Sequence, residues 1–168
     1  MRRGVCLDDV VHISAKADYG MRALLELAAA AARDPAALVK AEHIADTQQI
    51  PARFLAAILR DLRGLGIIES RRGAEGGYRL ARPADAITVA DVLRALDGPL
   101  AAVRDERPED LAYEGAAQHL RDVWVASRVA IRDVLERVTL ADVVRGTLPA
   151  SVRERLEVPG AWQRRPQR

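Results

Sequence analysis

A chain of 168 residues with 49% hydrophobic and 30% charged content has room for one folded domain with an appendage, and enough apolar mass for a core. No run of about 18 apolar residues occurs, and Asp8 and Asp9 stand where a secretory leader would place its apolar stretch, so a cytoplasmic protein without membrane contact is expected. The formal net charge is only +2, and the single cysteine, Cys6, excludes an internal disulfide and a thiolate-only metal site within one subunit.

In chain order, residues 1–12 form an N-terminal extension. "SAKADYGMRALLELAAAAA" then opens with Ser14 as an N-cap and places Met21, Leu24, Leu25 and Ala28 at helical spacing, which predicts a first helix ending near "RDP". "VKAEHIADTQQ" predicts a second, shorter helix with Ile44 and Ala45 inward. "IPARFLAAILRDLRGLG" predicts a third, with Pro51 in the first turn and Gly64 and Gly66 at the exit. The third helix has two faces: an apolar stripe of Leu55, Ile58, Leu59 and Leu62, and a small, basic stripe of Arg53, Ala56, Arg60 and Arg63. Three helices with a short turn between the second and third match a helix-turn-helix whose third helix could enter a DNA major groove.

"IIES" and "GYRLA" are short β-prone runs around "RRGAEG" and predict a hairpin, so the unit is winged; Gly73, Gly76 and Gly77 suit a tight turn with positive φ, and Arg71 and Arg72 would face DNA. The glycines do not fit a nucleotide loop, because the spacing is wrong, no lysine is present and a strand-like run follows. Residues 13–83 are thus expected to be the DNA-binding domain and 84–146 the connecting and dimerisation helices. "ITVADVLRALDGP" has Thr88 as N-cap, Asp91 in a capping-box position and a Gly98-Pro99 stop. After the charged linker "LAAVRDERPED", one long helix is expected from Tyr113 to Val138. Its Leu120, Trp124, Ser127, Ile131, Val134 and Val138 recur at alternating steps of four and three residues, the pattern of roughly a 3.5-residue repeat and a seam for another helix in which Ser127 would bond back to the carbonyl one turn earlier. "TLADVVRG" is a small helix capped by Thr139, and 147–168 is expected to be a flexible basic tail.

Charge is segregated along this plan. From Arg53 to Arg82 there are seven arginines against three acids, whereas from Asp91 to Asp142 there are seven arginines against eleven acids. The first segment suits a polyanion and the second does not.

The strings "ISAKADYGMRALLELA", "IPARFLAAILRDLRGLGIIESRRGAEGGYRLARP", "ITVADVLRALDGP" and "VTLADV", in that order, resemble the Rrf2 (BadM/Rrf-type) family of bacterial winged helix-turn-helix transcriptional regulators over about Ile13 to Val144. The resemblance implies a mainly α fold with a long C-terminal dimerisation helix, and a homodimer that acts as a repressor on a palindromic site. Carried over by position, Lys16 and Tyr19 touch backbone phosphates, Arg53 sits near the start of the recognition helix, and Arg72 is the wing arginine. Some members have a Glu-Gln pair where this chain has Ala56 and Ala57; an alanine meets a thymine methyl but accepts no hydrogen bond from cytosine. A prominent branch holds an iron-sulfur cluster on three cysteines between the "DGP" turn and the long helix. None stands there in this chain, and Arg121 occupies the place of the cluster histidine, so no cluster is expected. The resemblance is to the cluster-free branch, some of whose members answer to a protein partner in cysteine and sulfur metabolism.

Rival readings remain open on the residues alone. The basic stripe could be a solvated helix face, and Arg60 could pair with an acid. Trp124 could line a pocket for a small-molecule effector. His43 and His119 are isolated imidazoles; His12 near Cys6 could mark a metal or redox site only if further donors came from elsewhere. No motif for an enzyme stands out. A winged-helix module that binds a partner protein, with weak or no DNA contact, is the alternative to a regulator.

Overall fold

The computed structural model describes residues 13–163. The extension with Cys6 and His12, and residues 164–168, lie outside the described residues. Seven α-helices and a two-stranded antiparallel ribbon follow in order: α1 (Ala15–Arg33), α2 (Ala41–Gln48), α3 (Ala52–Gly64), β1 (Ile68–Arg71), β2 (Gly77–Leu80), α4 (Val89–Asp97), α5 (Leu120–Leu135), α6 (Leu140–Arg145) and α7 (Ala150–Leu156). None of the described helices is long and apolar enough to cross a membrane.

Local chemistry sets most of the boundaries. Ser14 Oγ accepts the amide of Ala17 and donates to Asp97 Oδ1 at 2.5 Å, so one side chain caps α1 and ties it to the end of α4. Between α2 and α3 the chain turns at Gln49, which takes a left-handed φ of 53°, and buries Ile50 beneath the turn. Pro51 is the N-cap of α3, one position before the helical turn in which it was expected. Thr88 with Asp91 and Thr139 with Asp142 form reciprocal capping boxes at α4 and α6.

Leu24 and Leu27 of α1, Ile44 of α2, Leu55, Leu59 and Leu62 of α3, and Ile68 of β1 form the centre of the core. The expected division at 83–84 does not divide this core: Ile87, Val92, Leu93 and Leu96 around α4 and Leu140 of α6 belong to the same cluster. The backbone at the two capped helix starts makes the join. Val89 donates to the carbonyl of Val138 at 2.8 Å and Leu140 to that of Ile87 at 3.0 Å, so Thr88 and Thr139 pair as an antiparallel bridge. "ITVADV" and "VTLADV" are similar strings because each performs the same task on one side of this clip.

α5 departs from expectation at both ends. Gly115, with φ of 59°, and a 3-10 turn over Gly115–Ala117 delay its start to Leu120. At the other end the helix stops at Leu135, and Val138 lies in the extended clip, 6% exposed, so it is a core residue and no part of the seam. The tail is also corrected: α7 buries Val152, and Arg155 reaches Asp133 of α5 at 2.6 Å, which ties residues 150–156 to the body.

Candidate nucleic-acid interface

α3 presents one face outward because its other face is fully committed. Leu55, Ile58, Leu59 and Leu62 are buried, which leaves Arg53, Ala56, Arg60 and Arg63 exposed and Ala57 half-buried at the border. Arg53 and Phe54 stand together at the N-terminal end, the guanidinium carbon 4.8 Å from the ring centroid, and Phe54 is itself 47% exposed. An exposed phenylalanine beside an arginine at the entry of such a helix is a candidate contact residue outside the stripe of Arg53, Ala56, Arg60 and Arg63. The spacing pattern passes over Phe54 because its neighbour Leu55 carries the inward stripe.

The ribbon continues from α3 with little slack. Ile67 donates to Leu62 across the exit, and Arg63 Nη1 donates to Ser70 Oγ at 3.2 Å, so the last turn of the helix is held to β1. The register pairs Ile68 with Leu80, Glu69 with Arg79, Ser70 with Tyr78 and Arg71 with Gly77. Of the three tip glycines expected to need positive φ, only Gly73 has it, at 107°. Gly77 is required for a different reason: a Cβ there would stand 2.7 Å from the carbonyl oxygen of Val39. Val39 lies in the link between α1 and α2 and exchanges two backbone hydrogen bonds with Tyr78, of 2.9 and 2.8 Å, so the wing is braced from behind as well as from α3. A one-residue bridge leaves no periodic trace in a sequence.

The charges on this side divide into paired and unpaired. Arg79 is neutralised by Glu69 across the ribbon at 2.8 Å. Lys16 Nζ of α1 sits 2.9 Å from Asp61 Oδ2 and Arg60 Nε 3.8 Å from the other oxygen, so the acid to which Arg60 turns is its own neighbour on α3. The Lys16 ammonium, above all through its hydrogen bond, holds the Asp61 carboxyl below the ordinary value of 3.8. Arg53, Arg71 and Arg72 are exposed and make no ion pair with any described residue. Tyr19 is half-buried against the core, with the Arg22 guanidinium 5.7 Å from its ring centroid. The structure therefore brings the α3 stripe, the Lys16–Asp61–Arg60 group at the contact of α1 with α3, and Arg71 and Arg72 in the wing onto one connected unit.

The seam residues on α5 fall apart into two kinds. Leu120, Trp124, Ile131 and Val134 are half-buried, whereas Ser127 is exposed and donates to the Val123 carbonyl at 2.8 Å, as its spacing suggested. Val123, Ala126 and Ala130 are also exposed, so the open side is rotated from the expected seam toward them. No residue of this 16-residue helix is buried. The Trp124 Nε1 is nonetheless enclosed and without a hydrogen-bond partner.

A trihelical head with a braced two-stranded wing and a basic outer face defines a winged helix-turn-helix DNA-binding module, the working part of a transcription regulator rather than of an enzyme. The family model described as Rrf2, iron-dependent transcriptional regulator, matches residues 13–146, and the chain belongs to that family. A protein of Mycobacterium tuberculosis (strain H37Rv) named as an HTH-type transcriptional regulator is 50% identical over 142 residues, 84% of this chain and 86% of the relative. The HTH-type transcriptional regulator CymR of Bacillus subtilis is 35% identical over 135 residues, 80% of this chain and 91% of the relative. Among solved structures, that of CymR, the global cysteine regulator of B. subtilis, matches with a TM-score of 0.66 at 33% identity over 82% of this chain and 99% of that one. IscR of T. potens matches with a TM-score of 0.64 at 30% identity over 81% of this chain and 88% of that one.

The family's iron dependence raises the question of what could hold iron here. The segment from Gly98 to Val138 contains no cysteine. His119, beside the start of α5, has an 82% exposed side chain with Asp122 3.8 Å away, and the described residues bring no three His, Cys, Asp or Glu side chains together. This donor set does not fit a three-thiolate iron-sulfur cluster.

Proposed function

We propose that this protein is a homodimeric, cluster-free repressor that binds a palindromic operator in the cytoplasm. The observation that carries the DNA part is the rigid connection between α3 and the wing, with Arg53 at one end and Arg71 and Arg72 at the other making no ion pair with any described residue. α3 would lie in the major groove with Arg53, Phe54 and Ala56 near base edges, and Ala57 at the rim. Arg60, Arg63, Lys16 and Tyr19 would meet phosphates. The wing would cross the backbone, with Arg72 at or in the adjacent minor groove.

The dimer part rests on α5. A 16-residue helix with apolar residues at Val123, Trp124, Ala130, Ile131 and Val134 and none of them buried is incomplete as a monomer element. A two-fold copy of itself closes it and sets two recognition helices about one turn of DNA, roughly 34 Å, apart. Selection of bound fragments from a random or genomic DNA pool by the purified protein tests the whole reading. Enrichment of one inverted repeat is expected, and enrichment of no palindrome would sink it.

A further inference from the structure

Between α4, the loop after Gly98 and α5 lies a cavity of about 460 Å³ whose wall carries four guanidiniums: Arg94, Arg107, Arg128 and Arg132. The only carboxylate in that wall is Glu109, which takes Nη1 of Arg128. Glu136 stands behind the wall, where its Oε1 accepts from both Arg94 and Arg132, the latter at 2.9 Å. Two acids are thus shared among four cations. Arg107 makes no ion pair with any described residue. Arg128, with a 16% exposed side chain, keeps its Nε enclosed and without an acceptor. A purely structural ion-pair network would balance its charges and satisfy its enclosed donors, since a buried donor left unpaired is costly. This one has two positive charges in excess, against an otherwise apolar rim of Pro99 and Leu100.

We propose that this cavity is an effector site for a small dianionic metabolite of the phosphoryl, sulfate or dicarboxylate class. Guanidiniums receive such oxyanions as two-pronged donors, and the four come from three separate elements: Arg94 from α4 in the core, Arg107 from the loop, and Arg128 and Arg132 from α5. A bound dianion would fasten arm to core and so fix the angle between the two heads of the dimer. That regulatory consequence rests on the reading of the protein as a dimeric DNA-binding regulator; occupancy of the cavity does not.

The test titrates the full-length protein with inorganic phosphate, sulfate and malonate in turn, at ionic strength held constant with sodium chloride, and follows the thermal midpoint. A saturable rise of about 5–10 °C at hundredfold excess over Kd is expected with at least one of them. The saturation should weaken at least tenfold in Arg107→Gln, an exposed side chain whose loss breaks no ion pair. The tighter of the phosphate or sulfate arm and the malonate arm names the ligand class. Phosphate and sulfate also stabilise proteins generally by exclusion, but that rise does not saturate and is the same in the variant. A non-saturating or variant-independent rise with all three overturns the site. Operator affinity is then measured with and without the saturating anion. A change of fivefold or more supports the coupling; no change at full saturation overturns it and leaves the site; absence of any DNA binding sinks the regulator reading alone.

Discussion

In the proposed DNA interface, Arg72 and Asp61 carry opposite charge. Arg72 is exposed and makes no ion pair with a described residue, so Arg72→Ala should weaken operator binding by about 1 to 3 kcal/mol in a mobility-shift titration at fixed salt, with little change in thermal midpoint. Asp61 draws Lys16 and Arg60 toward itself and adds a negative charge to the proposed interface. Asp61→Asn should therefore tighten DNA binding and steepen its salt dependence, by roughly one unit in the slope of log K against log salt. An unaltered slope would mean that Asp61 lies off the DNA path. Most of these side chains were legible in the sequence because a helix sorts residues by angle: once Leu55, Ile58, Leu59 and Leu62 are inward, Arg53, Ala56, Arg60 and Arg63 must be outward. What the sequence did not carry was the pairing within the outward set, since ion pairs depend on which helix end meets which. Lys16 lies 45 positions before Asp61 and no periodicity links them.

Among the elements, α5 behaves least like its sequence pattern. A heptad-like recurrence from Leu120 to Val134 is real, but it says nothing about where the helix starts, and Gly115 in a left-handed turn moves that start from the expected Tyr113 to Leu120. Val138 continued the spacing by coincidence while the chain had already left the helix for the clip with α4. Substituting Ala130→Arg on the exposed side of α5 should shift the protein from dimer to monomer in sedimentation equilibrium and abolish cooperative operator binding, while the far-ultraviolet spectrum stays that of the folded chain. The caps are the most transferable part of the sequence reading, because each requires only a side-chain oxygen at a fixed offset from a free amide. Ser14→Ala removes both the α1 cap and the link to Asp97, so a loss of about 1 to 2 kcal/mol in denaturant-derived stability is expected.

For the molecule as a whole, acid stability follows from carboxylates held below their ordinary values. Asp61 is held so by Lys16, Asp133 by Arg155, Glu136 by Arg132 and Arg94, and Asp142 by the Thr139 backbone and hydroxyl. A carboxyl depressed on folding binds its proton more weakly in the native state, so its stabilisation is complete above the unfolded-state value, near 3.8 for Asp and 4.5 for Glu, and is lost as pH falls through the lower folded value. The thermal midpoint should accordingly be flat between about pH 6 and 8 and fall on acidification below about pH 4.5. The fold itself was readable as a winged helix-turn-helix, but the extent of its core was not. α4 and α6 join it through a two-strand clip of three residues a side, too short to stand out as strands.

The clip has an architectural consequence. It joins the chain just before α4 to the chain just after α5, so the stretch between Asp97 and Arg137 departs from and returns to nearly the same place, resting Leu100 and Leu135 against the core. In topological terms that stretch is a cassette inserted into a finished head. Changes in its length and lining leave the sequence of α3 and of the ribbon untouched, a route for wiring one head to a different signal.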